Sequence, residues 1–311
     1  MSKTIRDAYG DALAKYGSDD RVFVLDADAS SSTRSAYFGE KYPARFINTG
    51  IAELNMTGIA AGLAACGKIP FVNTFAVFIS TISLIAARAF GSYSKLNIKL
   101  MGAYGGLSDS YDGASHQSLE DIAVMRSLPN IEVYVASDEY QTDWLVKNAI
   151  QRDAPMYIRL SREAMPAVYK EGEKFIPGKA KTVVEGSDVS IIACGLMTGT
   201  AVKAAVGLKE RGINAEVIDM FCVKPIDRET IINSAKKTNA VVTAEEHSVI
   251  GGLGGAVAEV LTSSGVACVQ EFIGVKDHHG ESGAYDELLD KYCLNVSSIE
   301  AACVRAIDRK R

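Results

Sequence analysis

Short runs of β-branched and aromatic residues alternate along the chain with stretches of helical period. RVFVLDAD, ARFINTG, IPFVNTF, IKLMGAY, IEVYVASD and PMYIRLSR are predicted strands. Several are apolar on both faces, the pattern of parallel strands covered on two sides. Helical patterns lie between them, such as EYQTDWLVKNAIQ, with Asp138 placed as its N-cap. The opening segment MSKTIRDAYGDALAKYG is an amphipathic helix by the same reading. Residues 166–181, PAVYKEGEKFIPGKAK, break the rhythm with Lys, Glu, Gly and Pro and have the composition of a linker. A second alternation follows: VSIIACG, a helix through AVKAAVGLKERG, NAEVIDMF, a helix after Pro225, AVVTAEEH, a helix after a glycine cluster, ACVQEFIG and a terminal helix. The whole predicts an α/β protein of two doubly wound domains, residues 1–165 and 182–311.

Composition narrows the classes of function. The 311 residues are enough for two domains with sizeable cores. Apolar residues make up 48% and charged residues 23%, as in soluble globular proteins. The net charge of -5 comes without a basic stripe, which argues against nucleic acid as a partner. No apolar run reaches spanning length without a charge or a break, so no membrane span is expected, and the first segment lacks the apolar core of a signal peptide. The six cysteines are scattered and form no CxxC. They read as buried free thiols of a reducing compartment, the cytoplasm, with neither disulfide frame nor zinc.

Several segments are candidates for chemistry. GIAELNMTGIAAGLAAC is small and apolar apart from Glu53 near its start. A first-turn carboxylate stabilises the positive end of a helix. The company of Gly50, Ala52, Gly58, Ala60, Ala61 and Gly62 allows a second role, because another surface can approach closely. There Glu53 is expected to be desolvated, its pKa pushed up, and able to share a proton with a ligand nitrogen. Phe75 and Phe78 stand three apart in NTFAVF, at a strand-to-helix junction of the kind where α/β proteins bind ligands. They either clamp a flat heterocycle or pack in the core. His116 follows an Asp-Gly turn in GGLSDSYDGASHQ, ahead of a helix expected to begin near His116 or Ser118. It is a candidate acid/base or hydroxyl-binding group, or a turn cap. Arg6 and Arg162 are candidate anion binders, and Ser30, Ser31, Ser32 and Thr33 can add hydroxyl donors. GGLGGAVAEV has the wrong glycine spacing for a dinucleotide fingerprint and reads as a tight loop with close helix packing. The neighbours His278 and His279 are not expected to face one metal.

Taken in order, VLDADASSST, FINTGIAELNM, NTFAVF, DGASHQSLEDIAVMRSLPNIEVYVASD, LSRE, GGLGGAVAE and HHGESGAYDELLDKY resemble the C-terminal half of transketolase over nearly the whole chain. The ordered combination of GIAE, TFxxF and DGxxHQ carries most of that resemblance. It implies a pyrimidine-binding domain for thiamine diphosphate over residues 1–165 and the family's C-terminal domain over 182–311. It implies that Glu53 hydrogen-bonds a ring nitrogen of the cofactor's aminopyrimidine. Phe75 and Phe78 are then expected to line the pyrimidine pocket, and Asp28 to touch the cofactor. Asp112 and His116 match residues that contact substrate hydroxyls or the carbonyl oxygen. Arg6, Ser32 and Arg162 match groups that grip a sugar phosphate. The family's GDG motif for the diphosphate and its magnesium or calcium ion does not occur in this chain. The resemblance therefore implies a split transketolase whose separate N-terminal subunit holds the metal, in a heterotetramer of two halves.

Departures fall around the substrate channel. Tyr104 stands where a histidine is usual, Ser110-Tyr111 where Gly-Glu is usual, and Thr81 where a tyrosine is frequent. These imply a non-standard donor or acceptor of the ketol group, for example a sulfo-sugar. Two other readings stay open at this stage: the β subunit of a 2-oxoacid dehydrogenase, and a non-catalytic binding or regulatory half that kept the fold.

Overall fold

The β-branched runs become strands because their side chains suit a pleated surface buried on both faces. The structure is a computed structural model that describes residues 3–310. The first two residues of the opening segment and the last residue of the second domain lie outside it. Strands β1 (Val22–Asp26), β2 (Phe46–Asn48), β3 (Ile69–Phe75), β4 (Lys99–Ala103), β5 (Glu132–Val135) and β6 (Met156–Arg159) form one parallel sheet. Strands β7 (Lys181–Val184), β8 (Val189–Ala193), β9 (Ala215–Asp219), β11 (Ala240–Ser248) and β12 (Val269–Val275) form the other, parallel except for β7. The first sheet also takes in β10 (Cys222–Lys224), which pairs antiparallel with β5. Its order is β10-β5-β6-β4-β3-β1-β2, and that of the second is β12-β11-β8-β9-β7. The expected α/β class, with two wound sheets, is what the chain adopts.

Strands β7 and β10 escape the hydrophobic pattern. Lys181–Val184 is only half-buried and lies at a sheet edge, while β10 is three residues long and borrowed by the other sheet. The segment with linker composition is packed rather than loose. Tyr169 and Phe175 are buried, with Phe175 5.3 Å from Trp144 and 5.5 Å from Phe221 between ring centroids.

The helix expected near His116 or Ser118 begins instead at Asp121. Ser118 is held in a two-way backbone pairing with Gly106, at 2.9 and 3.0 Å, so its peptide is committed to the loop. The Asp138 N-cap is present, its carboxylate accepting from the backbone N–H of Gln141 at 2.8 Å. The glycine cluster is a tight packing device, as expected. Backbone N–H groups of Leu253 and Gly254 donate to the Glu245 carboxylate at 2.7 and 2.8 Å, which fills the anion position at that helix start from within the chain. The cysteines differ from the reading: Cys194, Cys222 and Cys303 are buried free thiols, but Cys66 and Cys293 are exposed. No helix of the described residues is long and apolar enough to cross a membrane.

Candidate active site

Parallel strands present all their carboxyl ends at one edge, and the loops that leave them meet there. Asp28 follows β1, the turn into Glu53 follows β2, Phe75 ends β3, Tyr104 follows β4 and Arg162 follows β6. Arg6 reaches the same edge from the helix Ile5–Tyr16.

Glu53 is the first residue of the helix Glu53–Ala65 and only 5% exposed. Its backbone carbonyl accepts from the hydroxyls of Thr57 and Ser83, each at 2.9 Å, which ties the helix start to the segment after Phe78. Its carboxylate accepts no hydrogen bond among the described residues, and the N-cap Ala52 supplies no side-chain cap. The Glu53 oxygens are not among the fully buried unpartnered atoms, so the carboxylate of this otherwise buried side chain stays open to a group from outside the chain. The small residues divide: Ala60 and Ala61 are buried, while Gly58 and Gly62 have nothing within 4 Å of an added Cβ and open outward.

Phe75 and Phe78 stack with ring centroids 5.8 Å apart. His116 stands edge-on to both, at 5.9 and 5.3 Å. Its Nδ1 faces the Ser115 hydroxyl at 2.9 Å, which leaves Nε2 for a ligand. Tyr104 packs 4.7 Å from Phe75 and joins the aromatic group to the cations. Arg6 donates to its hydroxyl, and the guanidinium groups of Arg6 and Arg162 lie 5.5 and 5.4 Å from its ring centroid. Asp109, buried beneath them, is 3.6 Å from Arg162. Burial, then the neighbouring Asp112, push its carboxyl up to about 7 against the pull of Arg162 and Arg6.

The structure thus brings Phe75, Phe78, His116, Arg6 and Arg162 into one continuous cluster, with Asp112 beside Asp109. Asp28 and Ser32 share no hydrogen bond or ring contact with it among the described residues. Exposed Asp28 accepts from Asn48 at 2.8 Å in the turn that leads to Glu53. Ser32 is half-buried in the turn Ser30–Thr33 and makes no side-chain hydrogen bond among the described residues. That turn is shaped from below by buried Asp26, which accepts from Ala29 N–H at 2.6 Å and from the hydroxyls of Thr33 and Ser35 at 2.8 Å.

Asp109 and the brace from the second domain carry almost no signal in the sequence. Asp109 lies in a loop whose Gly and Ser content signals only a turn; its one sign is an acid three residues before Asp112. The brace comes from Glu246 at the end of β11 and from residues 281–285. Glu246 accepts from Leu107 N–H at 2.7 Å and from the Tyr285 hydroxyl at 3.0 Å. Gln117 donates to Glu281 O at 2.9 Å, and Gly283 N–H donates to Ser110 O at 3.1 Å. The loop that carries Asp112 and His116 is therefore held by both domains. His278 and His279 do not converge: His278 packs against Tyr292 at 5.0 Å. Among the described residues no group of three or more His, Cys, Asp or Glu is placed to hold a metal ion.

Two family models match the chain: "Transketolase, pyrimidine binding domain" over residues 1–167 and "Transketolase, C-terminal domain" over 178–299. The chain is 40% identical to the 6-deoxy-6-sulfo-D-fructose transketolase subunit SqwH of Clostridium sp. (strain MSTE9), over 98% of its own length and 95% of that protein's. It is 37% identical to a subunit of the apulose-4-phosphate transketolase of Phocaeicola vulgatus, over 94% of each chain. A solved structure described as a split-gene transketolase in an inactive β4 tetramer is 46% identical and superposes with a TM-score of 0.90 over 99% of both chains. The chain belongs to the transketolase family, of which it carries the pyrimidine-binding and C-terminal domains.

Proposed function

We propose that this chain is one subunit of a two-subunit, thiamine-diphosphate-dependent transketolase that moves a two-carbon ketol unit from a ketose to an aldose. The observation that carries the reading is Glu53, a largely buried side chain whose carboxylate has no donor within the chain and opens outward. An aminopyrimidine ring nitrogen is a partner of the right chemistry, and the stacked Phe75 and Phe78 offer apolar faces for a flat ring. When bound, thiamine diphosphate supplies a nucleophilic carbon and an electron sink for the transferred unit. Glu53 holds a proton between its Oε and the ring nitrogen, and the low dielectric of its setting strengthens that bond. Asp28 adds a contact to the cofactor. The Nε2 of His116 donates to the substrate carbonyl oxygen or a hydroxyl, and Asp112 takes a second hydroxyl. Arg6, Arg162 and Ser32 hold the far end of the sugar.

The diphosphate and its magnesium or calcium ion fall to a separate N-terminal subunit, because this chain has no GDG motif and no metal-ligand group among its described residues. An exposed apolar face supports such a partner: Ile51, Ile85 and Tyr93 are 83%, 68% and 86% exposed near the open side of the Glu53 helix. A heterotetramer of two such halves is the assembly we favour. The relative solved as a β4 tetramer is described as inactive, in keeping with a β chain that needs a second section. Six free cysteines suit the cytoplasm.

The test is reconstitution with the N-terminal subunit and cofactor. Glu53→Gln is expected to lower ketol transfer by about 10²–10⁴-fold, the usual weight of a proton-handling side chain. An unchanged rate would favour a non-catalytic half. Acyl transfer to a lipoyl acceptor, with no ketose formed, would favour the 2-oxoacid dehydrogenase reading.

A further inference from the structure

Under the two arginines lies a carboxylate that ketol transfer does not require. Asp109 is fully buried, and neither of its oxygens has a hydrogen-bond partner. Its Oδ1 is 3.6 Å from Nη1 of Arg162. That is close enough for charge to act and too long for the bidentate pairing that would lock a guanidinium in place. Arg162 therefore keeps its N–H donors for a ligand, with a third of its side chain exposed.

More acids stand in the same group. Asp112 adjoins Asp109 on the loop, half-buried Glu163 faces both Arg162 and Arg6, and Asp7 faces Arg6 and pairs with Arg34 at 2.6 Å. The three permanent positive charges of Arg6, Arg34 and Arg162 are thus met by four carboxyl groups, those of Asp7, Asp109, Asp112 and Glu163. A phosphate monoester brings about two negative charges at neutral pH, a sulfonate brings one, and an unsubstituted sugar brings none. Such a site is poorly charged for a dianion.

We propose that Asp109 is a specificity-determining residue that offsets Arg162 and turns the arginine end of the pocket toward substrates with one or no negative charge, in preference to dianionic phosphates. The inference rests on Arg6 and Arg162 gripping the far end of the sugar. Coulomb energy is linear in ligand charge, so removal of the Asp109 charge must act in proportion to that charge. A residue that merely supported the fold would affect all ligands alike.

Titration supplies a second signature. Burial and Asp112 push the Asp109 carboxyl up to about 7, and Arg162 and Arg6 oppose the shift. Asp109 is therefore more fully charged at pH 8 than at pH 6, and anions are held less tightly as pH rises through that window. A sulfonate does not itself titrate there. Glu246, which accepts from Leu107 N–H on the same loop and is pushed up to about 7 chiefly by burial, titrates in wild type and variant alike, so the effect of Asp109 is the difference between the two.

The experiment is calorimetric binding to the complex of this chain with its N-terminal subunit and cofactor. The probes are D-ribose 5-phosphate, 5-deoxy-5-sulfo-D-ribose and D-ribose at pH 8. Asp109→Asn is expected to tighten the phosphate about tenfold and the sulfonate about threefold, and to leave ribose unchanged. Asp109→Ser is a second neutral variant should the first fold poorly. In an Arg162→Gln background, Asp109→Asn is still expected to tighten the phosphate more than the sulfonate, because the field of Asp109 at the ligand does not pass through Arg162. Wild-type affinity for the sulfonate should weaken from pH 6 to 8 more steeply than that of the Asn variant. Equal changes for all three probes, an unchanged phosphate affinity, or no phosphate binding by any variant would overturn the proposal. Binding is read without turnover. A charge-graded response in a complex that transfers no ketol group would sink only the proposed activity. Normal ketol transfer with no graded response would sink only the role of Asp109.

Discussion

Asp219 sits at the end of β9 and joins pieces from across the chain. It accepts from Ser137 at 2.9 Å, Gln141 at 2.8 Å, Tyr169 at 2.7 Å and Thr198 at 3.1 Å. These donors come from the first sheet's outgoing loop and helix, the packed connector, and the second domain. Four donors stabilise the charged form, but burial is the larger effect and pushes the carboxyl up to about 6. In the unfolded chain it returns to about 4. A raised native value means the folded state binds the proton more tightly. The contribution to stability is therefore present in full below about pH 4 and is lost as pH rises through about 6. The shift of roughly two units is worth about 3 kcal/mol. Asp219→Asn removes the titration, so the stability of wild type relative to the variant should fall by about that amount between pH 4 and 7. Urea unfolding at several pH values reads the difference. A constant gap would show that the buried carboxyl titrates at its ordinary value.

The helix Leu253–Ser263 shows how packing overrides propensity within one element. Gly254 and Gly255 are neighbours in its first turn. A Cβ on Gly254 would lie 2.5 Å from the Phe272 ring and 2.9 Å from the Thr243 hydroxyl, whereas one on Gly255 meets nothing within 4 Å. Alanine gains up to about 1 kcal/mol of helix propensity over glycine at either site. At Gly254 overpacking outweighs it, at about 1–3 kcal/mol. Gly254→Ala should therefore lower the melting temperature and Gly255→Ala raise it slightly, as calorimetry would read. The pair also marks what the sequence can and cannot tell. Largely apolar runs such as IPFVNTF and the AVVTA that opens β11 fix their strands by themselves, because burial on both faces leaves no competing period. Motifs with a local mechanism were legible too: the Asp138 cap, Glu53 at its helix start, and Phe75 and Phe78 at the strand end. The rest depended on contacts remote in sequence. Strand β10 exists only because β5 is there to pair with it. Asp109 matters only because Arg162 and Arg6 arrive from other elements, and Glu246 only because it reaches Leu107.

At the scale of the molecule the chain is two sheets locked together and one face left open. The lock is polar and buried: Arg159 donates to Ser118 O at 3.0 Å and Glu246 O at 2.8 Å and lies 3.0 Å from Asp121, which also accepts from the Tyr157 hydroxyl at 2.6 Å. Such a network fixes the two domains in one arrangement, so the loop with Asp112 and His116 is shaped before any ligand arrives. The open face is different in kind. Leu54 and Ile59 on the Glu53 helix, and Ile82, Ile85, Phe90 and Tyr93 from the segment beside it, are all more than a third exposed. Scattered apolar residues need no explanation, but a group on adjoining elements, flanked by the empty positions of Gly58 and Gly62, is the signature of a surface meant to be covered. On the function proposed above, its nearness to Glu53 suits the N-terminal subunit as occupant, because the same contact would close the pocket around the unpartnered carboxylate. Ile85→Asp should weaken assembly with that subunit at least about tenfold, since a charge there must be desolvated on docking. The folded chain itself should lose less than about 0.5 kcal/mol, as an exposed position predicts. Val206→Asp, 59% exposed on the second domain, should leave assembly untouched. Sedimentation of the mixed subunits reads all three proteins at once. Equal assembly by the Ile85 variant and wild type would move the interface elsewhere and leave Glu53 without its cover.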